Sequence, residues 1–373
     1  MRVDAWLTLL QAAQQITTQP WLDALKRCGS VEALLVEAPR LFAGSQAGAE
    51  ALAKLASPDK PKIDGWRAWL EQPNRKLITF GSRGYPKRLA DIPDAPLALW
   101  VEGHKHDLLA RPQLAIVGSR SPTADGRDTA EQFARYLAQR GITITSGLAT
   151  GIDGASHRGA VAALGGTVAV LGSGLDKIFP REHTSLAAEI AQRGVLVSEY
   201  APGVEAQRLF FPQRNRIIAG LTLGTLVVEA TRRSGSLITA RLALDYGREV
   251  FAIPGSIHNP LARGCHHLIR QGAKLVEEAA DVLVELAPQL EAEGVELAPE
   301  GPADDSDGAP VTSDPSYEKL LKQLGFSPTP IGDLSTRTGL TTAELSSMLL
   351  LLELEGQVEA LPGGRYSRRG KKN

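Results

Sequence analysis

The chain is poor in the residues that build cross-linked, membrane-embedded or metal-holding proteins. Its two cysteines, Cys28 and Cys265, stand far apart in 373 residues, so neither a disulfide framework nor a cysteine zinc site is implied. A reducing cytoplasm fits. No apolar run approaches the ~20 residues needed to cross a bilayer, and Ala5 to Leu10 is broken by Thr8 and ended by Gln11, too short and polar for a signal peptide. Membrane insertion is not expected. Aromatics make up only 5% of the residues, so base stacking, at ~1 to 3 kcal/mol per base, must come from few positions. Absent too are a Gly-x-x-x-x-Gly-Lys-Ser/Thr phosphate loop, a His-Glu-x-x-His zinc motif and a Gly-x-Ser-x-Gly nucleophile elbow.

What is present is unevenly charged. The net charge is -1, but Ala287 to Pro315 carries eight acids, from Glu291 to Asp314, and no Lys or Arg; setting these aside leaves +7 on the rest. That remainder permits a polyanionic partner without requiring one. The acidic, Pro- and Gly-containing stretch, 287–315, is expected to be a flexible linker.

Three structured segments follow from the patterning. Apolar residues at helical spacing between Ala5 and Leu70, around a Cys28-Gly29-Ser30 turn, predict a helical domain over 1–75, either a packing module or a nonspecific DNA-binding hairpin. Over 76–286, short apolar runs alternate with amphipathic helices. The runs are Leu114–Val117, Ile142–Thr145, Thr167–Leu171, Val195–Val197, Leu226–Val228 and Val250–Ile253. Strands of this kind, covered on both faces, predict a doubly wound, mainly parallel α/β sheet. Over 316–373, helices at Tyr317–Leu324, Ile331–Arg337 and Thr342–Leu354 precede a hairpin, the winged-helix arrangement.

In such a sheet ligands bind beyond the carboxyl ends of the strands. There the sequence places Gly118-Ser119-Arg120, Ser146-Gly147 with Gly151, Gly172-Ser173-Gly174, Ser234-Gly235 and Pro254-Gly255. Small residues admit a ligand to the backbone, and free N-H groups with helix dipoles favour an anion. Arg120, Arg181 and Arg214-Asn215-Arg216 are expected on the same rim, where guanidinium forks suit consecutive phosphates. Internal pairing of Arg214 or Arg216, for example with Glu229, is the competing assignment. Phe211 is the best candidate for stacking a base. An Arg inside the first Gly-rich turn breaks the dinucleotide fingerprint, so no nicotinamide cofactor is expected. Asp153 and Asp176 read as helix caps, and His258 with Cys265-His266-His267 as surface histidines rather than a metal site.

Taken together, Val117–Arg120, Ser146–Asp153, Gly172–Asp176, Phe211–Leu221, Glu229-Ala230 with Ser234–Ala240, and Val250–Gly255 resemble, in order and spacing, the DNA-processing protein A (DprA, or Smf) family. The resemblance covers roughly Leu77 to Leu286. It implies an extended Rossmann-like fold flanked by an N-terminal SAM-like helical domain and a C-terminal winged helix. It also implies binding of single-stranded DNA, homodimerisation through the Rossmann-like domain, loading of the RecA recombinase during natural transformation, and no catalysis. Arg120 and Arg181 would touch DNA, with the Gly-rich rim adding backbone contacts. The family usually has Asn where His183 and His266 stand.

Two other readings remain. A nucleoside-monophosphate phosphoribohydrolase would use a carboxylate such as Glu229, although the spacing from Gly224-Thr225 is one residue too long. A transcription regulator would read duplex DNA with Thr342–Leu354, although that helix contains no Arg or Lys.

Overall fold

The computed structural model describes residues 2–13, 18–44, 46–299, 315–326 and 328–369, in two compact units divided after Pro299. The first opens with five helices, α1 (Arg2–Ala13), α2 (Thr18–Cys28), α3 (Val31–Leu41), α4 (Gln46–Ala56) and α5 (Lys60–Leu70). The expected turn is present: Gly29 adopts φ +75° after α2, and Ser30 caps α3 by accepting from the Ala33 N-H. These helices do not form a core of their own. Trp21, Leu22 and Leu34 share one cluster with Leu99, Val197 and Ile217 of the sheet unit, and Trp66 and Trp69 each meet Trp100 edge-on at 5.7 Å. The 75/76 boundary is therefore a change of secondary structure within one packed body.

The sheet follows as β1 (Arg75–Thr79), α6 (Lys87–Ala90), β2 (Ala98–Gly103), β3 (Gln113–Gly118), α7 (Ala124–Gln139), β4 (Thr143–Ser146), α8 (Ile152–Ala160) and β5 (Thr167–Leu171). It continues with α9 (Thr184–Arg193), β6 (Val195–Ser198), α10 (Phe210–Leu221), β7 (Gly224–Val228), α11 (Ser236–Asp245), β8 (Glu249–Ala252), α12 (Arg263–Arg270), β9 (Lys274–Leu275) and α13 (Ala279–Ala292). The strand order is β1-β2-β6-β5-β4-β3-β7-β8-β9. All neighbours from β6 to β9 pair in parallel, as the apolar runs predict. Of the three strands the patterning did not reveal, β1 and β2 pair antiparallel at one edge, and the two-residue β9 extends the parallel order at the other. From β3 the chain winds outward to β6, and α10 then carries it back to β7 on the other side of β3. The loops after β3 and β7 thus diverge from one point, the switch position where open α/β sheets hold ligands.

The expected linker begins too early. Helix α13 runs on through Pro288 to Ala292 with Leu290 buried, because Leu286 and Leu290 continue its apolar stripe. Val295 and Leu297 pack against the same core, and Arg140 Nε donates to the Ala298 carbonyl at 2.6 Å. Residues 300–314, the rest of that stretch, lie outside the described residues.

The second unit is a winged helix built from α14 (Pro315–Leu324), β10 (Thr329–Pro330), α15 (Ile331–Thr338), α16 (Thr342–Leu354), β11 (Val358–Leu361) and β12 (Arg365–Arg368). Its core joins Leu320, Leu334, Leu345, Leu349 and Val358. Thr341 and Glu344 form a reciprocal capping box that starts α16. The outer face of α16 exposes Leu350, Leu351 and Leu354, an apolar surface unsuited to base edges. Of the basic tail, Lys371 and Lys372 lie outside the described residues.

Candidate nucleic-acid interface

At the switch position a cavity of about 700 Å³ opens between the loops after β3 and β7. Gly118, Ser119 and Arg120 line it from β3, Ala149 and Asp153 from the β4 side, and Phe179 from the β5 loop. Arg208, Phe211, Arg214 and Asn215 come from the entry to α10, and Thr231, Ser234 and Gly235 from the β7 loop. Of the predicted site, Gly118, Ser119, Arg120, Phe211, Arg214, Asn215, Ser234 and Gly235 are thus brought together. Ser146, Gly147, Gly151, Gly172, Ser173, Gly174, Arg181 and Arg216 do not line the cavity.

The exposed chemistry is a cation over one ring with a second ring beside it. The Arg120 guanidinium sits 5.5 Å from the Phe211 ring centre, and Phe211 lies 5.5 Å from Phe179 at 44°. Two rings and a planar guanidinium form surfaces on which a base can stack. Arg208 is exposed beside them, with no acid paired to it among the described residues. Sequence reasoning singled out neither Phe179 nor Arg208, which no Gly-rich turn flags.

The rim glycines serve a different purpose from the one expected. A Cβ on Gly118 would strike the Val228 carbonyl, one on Gly147 the Arg214 guanidinium, one on Gly151 the Ser119 carbonyl, and one on Gly174 the Ala201 carbonyl at 2.6 Å. On Gly172 it would press the Phe211 ring at 3.3 Å. These glycines let loops pack on one another. Of the glycines in the predicted site, only Gly235 faces open space. The serines divide likewise: Ser146 and Ser173 are buried and donate to the Ile116 and Lys177 carbonyls, each at 2.7 Å, whereas Ser119 and Ser234 reach the cavity.

Two of the four predicted arginines are also reassigned. Arg214 is 4% exposed, and its Nη1 donates to the Gly147 carbonyl at 2.6 Å and to that of Val170. Burial lowers its pKa to about 10, which leaves it charged at neutral pH. Arg216 is paired at 2.5 Å with Glu199, not with Glu229. Glu229 instead accepts from the Thr123 N-H at 2.8 Å and its hydroxyl at 2.7 Å, tying β7 to the start of α7. Arg181 is exposed, outside the cavity.

Beneath the cavity the turn Gly147-Leu148-Ala149 is held by side chains at every peptide. Asp153 accepts from the Gly147 and Ala149 N-H groups at 3.1 and 3.4 Å, and burial raises its pKa against the pull of Arg214. It is neither a free acid nor a simple cap. The Leu148 N-H donates to His157 Nε2 at 3.3 Å, so His157 Nδ1 carries the proton and donates to Thr167 Oγ1 at 2.7 Å. Burial pushes the His157 pKa down to about 3, keeping the ring neutral. His183 Nδ1 donates to the Leu148 carbonyl at 2.9 Å. Leu148 itself adopts φ +58°, a conformation this clamp must hold in place.

Away from the cavity, Asp176 does not begin a helix but accepts from the Gly203 N-H at 2.8 Å. Cys265 is buried, His266 Nε2 donates to the Gly255 carbonyl at 2.9 Å, and no cluster suited to a metal occurs among the described residues. No helix among them is long and apolar enough to cross a membrane.

A family model described as DNA recombination-mediator protein A matches residues 76–287. The chain belongs to the DprA/Smf family. A second model, described as the DprA winged helix domain, matches residues 303–364. Protein Smf of Escherichia coli is 46% identical over 313 residues, covering 83% of this chain and 82% of the relative. DNA processing protein DprA of Bacillus subtilis is 42% identical over 226 residues, 61% of this chain and 76% of the relative. The X-ray structure of Streptococcus pneumoniae DprA is similar with a TM-score of 0.67 and 38% identity, over 74% of this chain and 95% of that one. A DNA processing protein A from Helicobacter pylori, solved for its single-stranded DNA binding mode, gives a TM-score of 0.52 and 29% identity over 57% of this chain and 97% of that one. His183 and His266 each offer a ring N-H to a backbone carbonyl, a bond an Asn amide can also make.

Proposed function

We propose that this chain binds single-stranded DNA at the β3/β7 cavity, seating a base against Phe211 and Phe179 and the adjoining phosphates on Arg120 and Arg208. The observation that carries the reading is the exposed Arg120, with no acid paired to it among the described residues, over Phe211 in a cavity at the sheet's switch position. Phosphate contacts are blind to sequence and ring stacking nearly so, which suits a protein that must handle any strand. Duplex DNA hides its base faces and cannot use the rings. The single-stranded DNA binding mode solved for the Helicobacter relative supports single-strand binding as the activity.

Cytoplasmic protection of incoming DNA during natural transformation, and the loading of RecA onto it, extend this reading through family membership. Homodimerisation has a surface available: β9 closes one edge of the sheet with Leu275 49% exposed, and Val284 on α13 is 72% exposed. A glycosidic hydrolase reading is disfavoured because both Glu229 carboxylate oxygens are engaged at Thr123.

The test is fluorescence anisotropy on single-stranded and duplex DNA of matched length across salt, with RecA filament growth followed on the single strand. Tighter single-strand binding and a shorter RecA lag are expected. Equal affinity for duplex overturns the cavity reading, and an unchanged lag overturns the loading role.

A further inference from the structure

Beyond the cavity itself, we infer that Arg232 and Arg233 grip the strand where it leaves the cavity, so that the DNA runs across the strand ends from the β5 loop toward the β8 side. The inference rests on the single-strand reading above and adds a direction and an exit clamp to it. Its starting point is the β7 loop. Thr231 and Ser234 line the cavity, and the two arginines between them are exposed. Among the described residues neither guanidinium has a hydrogen bond, ion pair or ring partner. The nearest acid in sequence, Glu229, is engaged with Thr123 and turned toward α7. Two adjacent free cations repel one another, and an anion alongside relieves that repulsion.

The strand order gives these cations a line. Along the rim the loops follow β5, β4, β3, β7 and β8. Arg181, exposed and without a side-chain partner among the described residues, belongs to the β5 loop; Arg120 belongs to β3, and Arg232 and Arg233 to β7. Neighbouring strands lie ~4.8 Å apart, so three spacings separate β5 from β7 by about 14 Å. The cavity sits between the outer two positions. A strand seated there by one base has its phosphates passing Arg181 on one side and the Arg232-Arg233 pair on the other. Arg181, which does not line the cavity, thereby gains a place in the path.

The test uses the full chain with Arg232→Ala and Arg233→Ala combined; both side chains are exposed, so the fold should be unaffected. Two probes are compared, a thymidine trinucleotide and a thymidine strand of about thirty nucleotides, beyond the roughly 4–16 nucleotide sites common for single-strand grooves. Each lost phosphate contact lowers the log-log salt slope by ~0.7, so the double variant should lose ~1.4 on the long strand. The wild-type advantage should accordingly shrink about sevenfold between 50 and 200 mM salt. Trinucleotide affinity should change less than about twofold, because the cavity is intact. An unaltered slope on the long strand overturns the exit clamp, and an equal loss on both probes places the pair inside the cavity instead. Wild type that binds neither probe overturns the cavity reading itself.

Discussion

Arg120→Glu is expected to weaken single-strand binding at least about a hundredfold, because the change removes a phosphate partner and sets an anion in its place, a loss of roughly 3 kcal/mol or more. Arg120 is exposed and holds no ion pair among the described residues, so the melting temperature should stay within a degree or two. Arg120→Lys should fall between, since an ammonium keeps the charge but cannot lie flat on the Phe211 ring 5.5 Å away. Anisotropy titration beside a thermal melt checks both halves. Undiminished binding by the charge-reversed protein would mean that the strand lies elsewhere.

Arg214→Met should do the reverse, damaging the fold first. Its guanidinium satisfies the Gly147 and Val170 carbonyls and offsets the buried Asp153 carboxylate. Removing it leaves two acceptors unpaired and an anion without its cation, at about 3 to 5 kcal/mol. At roughly 2 to 4 °C per kcal/mol the melting temperature should drop on the order of 10 °C. Adding Asp153→Asn should recover part of that loss, since the uncompensated charge is then gone. Calorimetry of the three proteins decides it. A single variant that melts like wild type yet no longer binds DNA would return Arg214 to the role its sequence position first suggested.

The contrast between Arg120 and Arg214 shows where the sequence is legible. Arg120 sits in a turn directly after β3, and turns at the carboxyl ends of an open parallel sheet border the crevice at its switch point, where Arg120 does line the cavity. Arg214 sits within α10, where the period of the helix decides. It precedes Ile217 and Ile218 by three and four residues, and both are fully buried, so it shares their inward face. The helical period therefore carries the burial signal, whereas residue type alone points to phosphate. Arg208 lacked any such marker, because the approach to α10 is irregular chain whose path depends on tertiary packing.

The glycines were visible, but their purpose was not. Whether an absent Cβ makes room for a ligand or for another loop depends on which backbone crosses there, as the Val228 carbonyl does over Gly118. The sheet was read well from β3 to β8 because strands covered on both faces show as short apolar runs. Strand β1, Arg-Lys-Leu-Ile-Thr, has no such run, and it is placed by antiparallel pairing with β2 and by packing of Leu77 and Ile78 on the core. The linker boundary slipped because acidic residues and Pro288 masked the continuing Leu286 to Leu290 spacing.

The most direct measurement is a crystal structure of the full chain with a short thymidine oligomer. It should show one base against Phe211 and Phe179 in the β3/β7 cavity, with flanking phosphates on Arg120 and Arg208. An oligomer bound only on the winged helix, or at the β1 edge with the cavity vacant, would contradict the account.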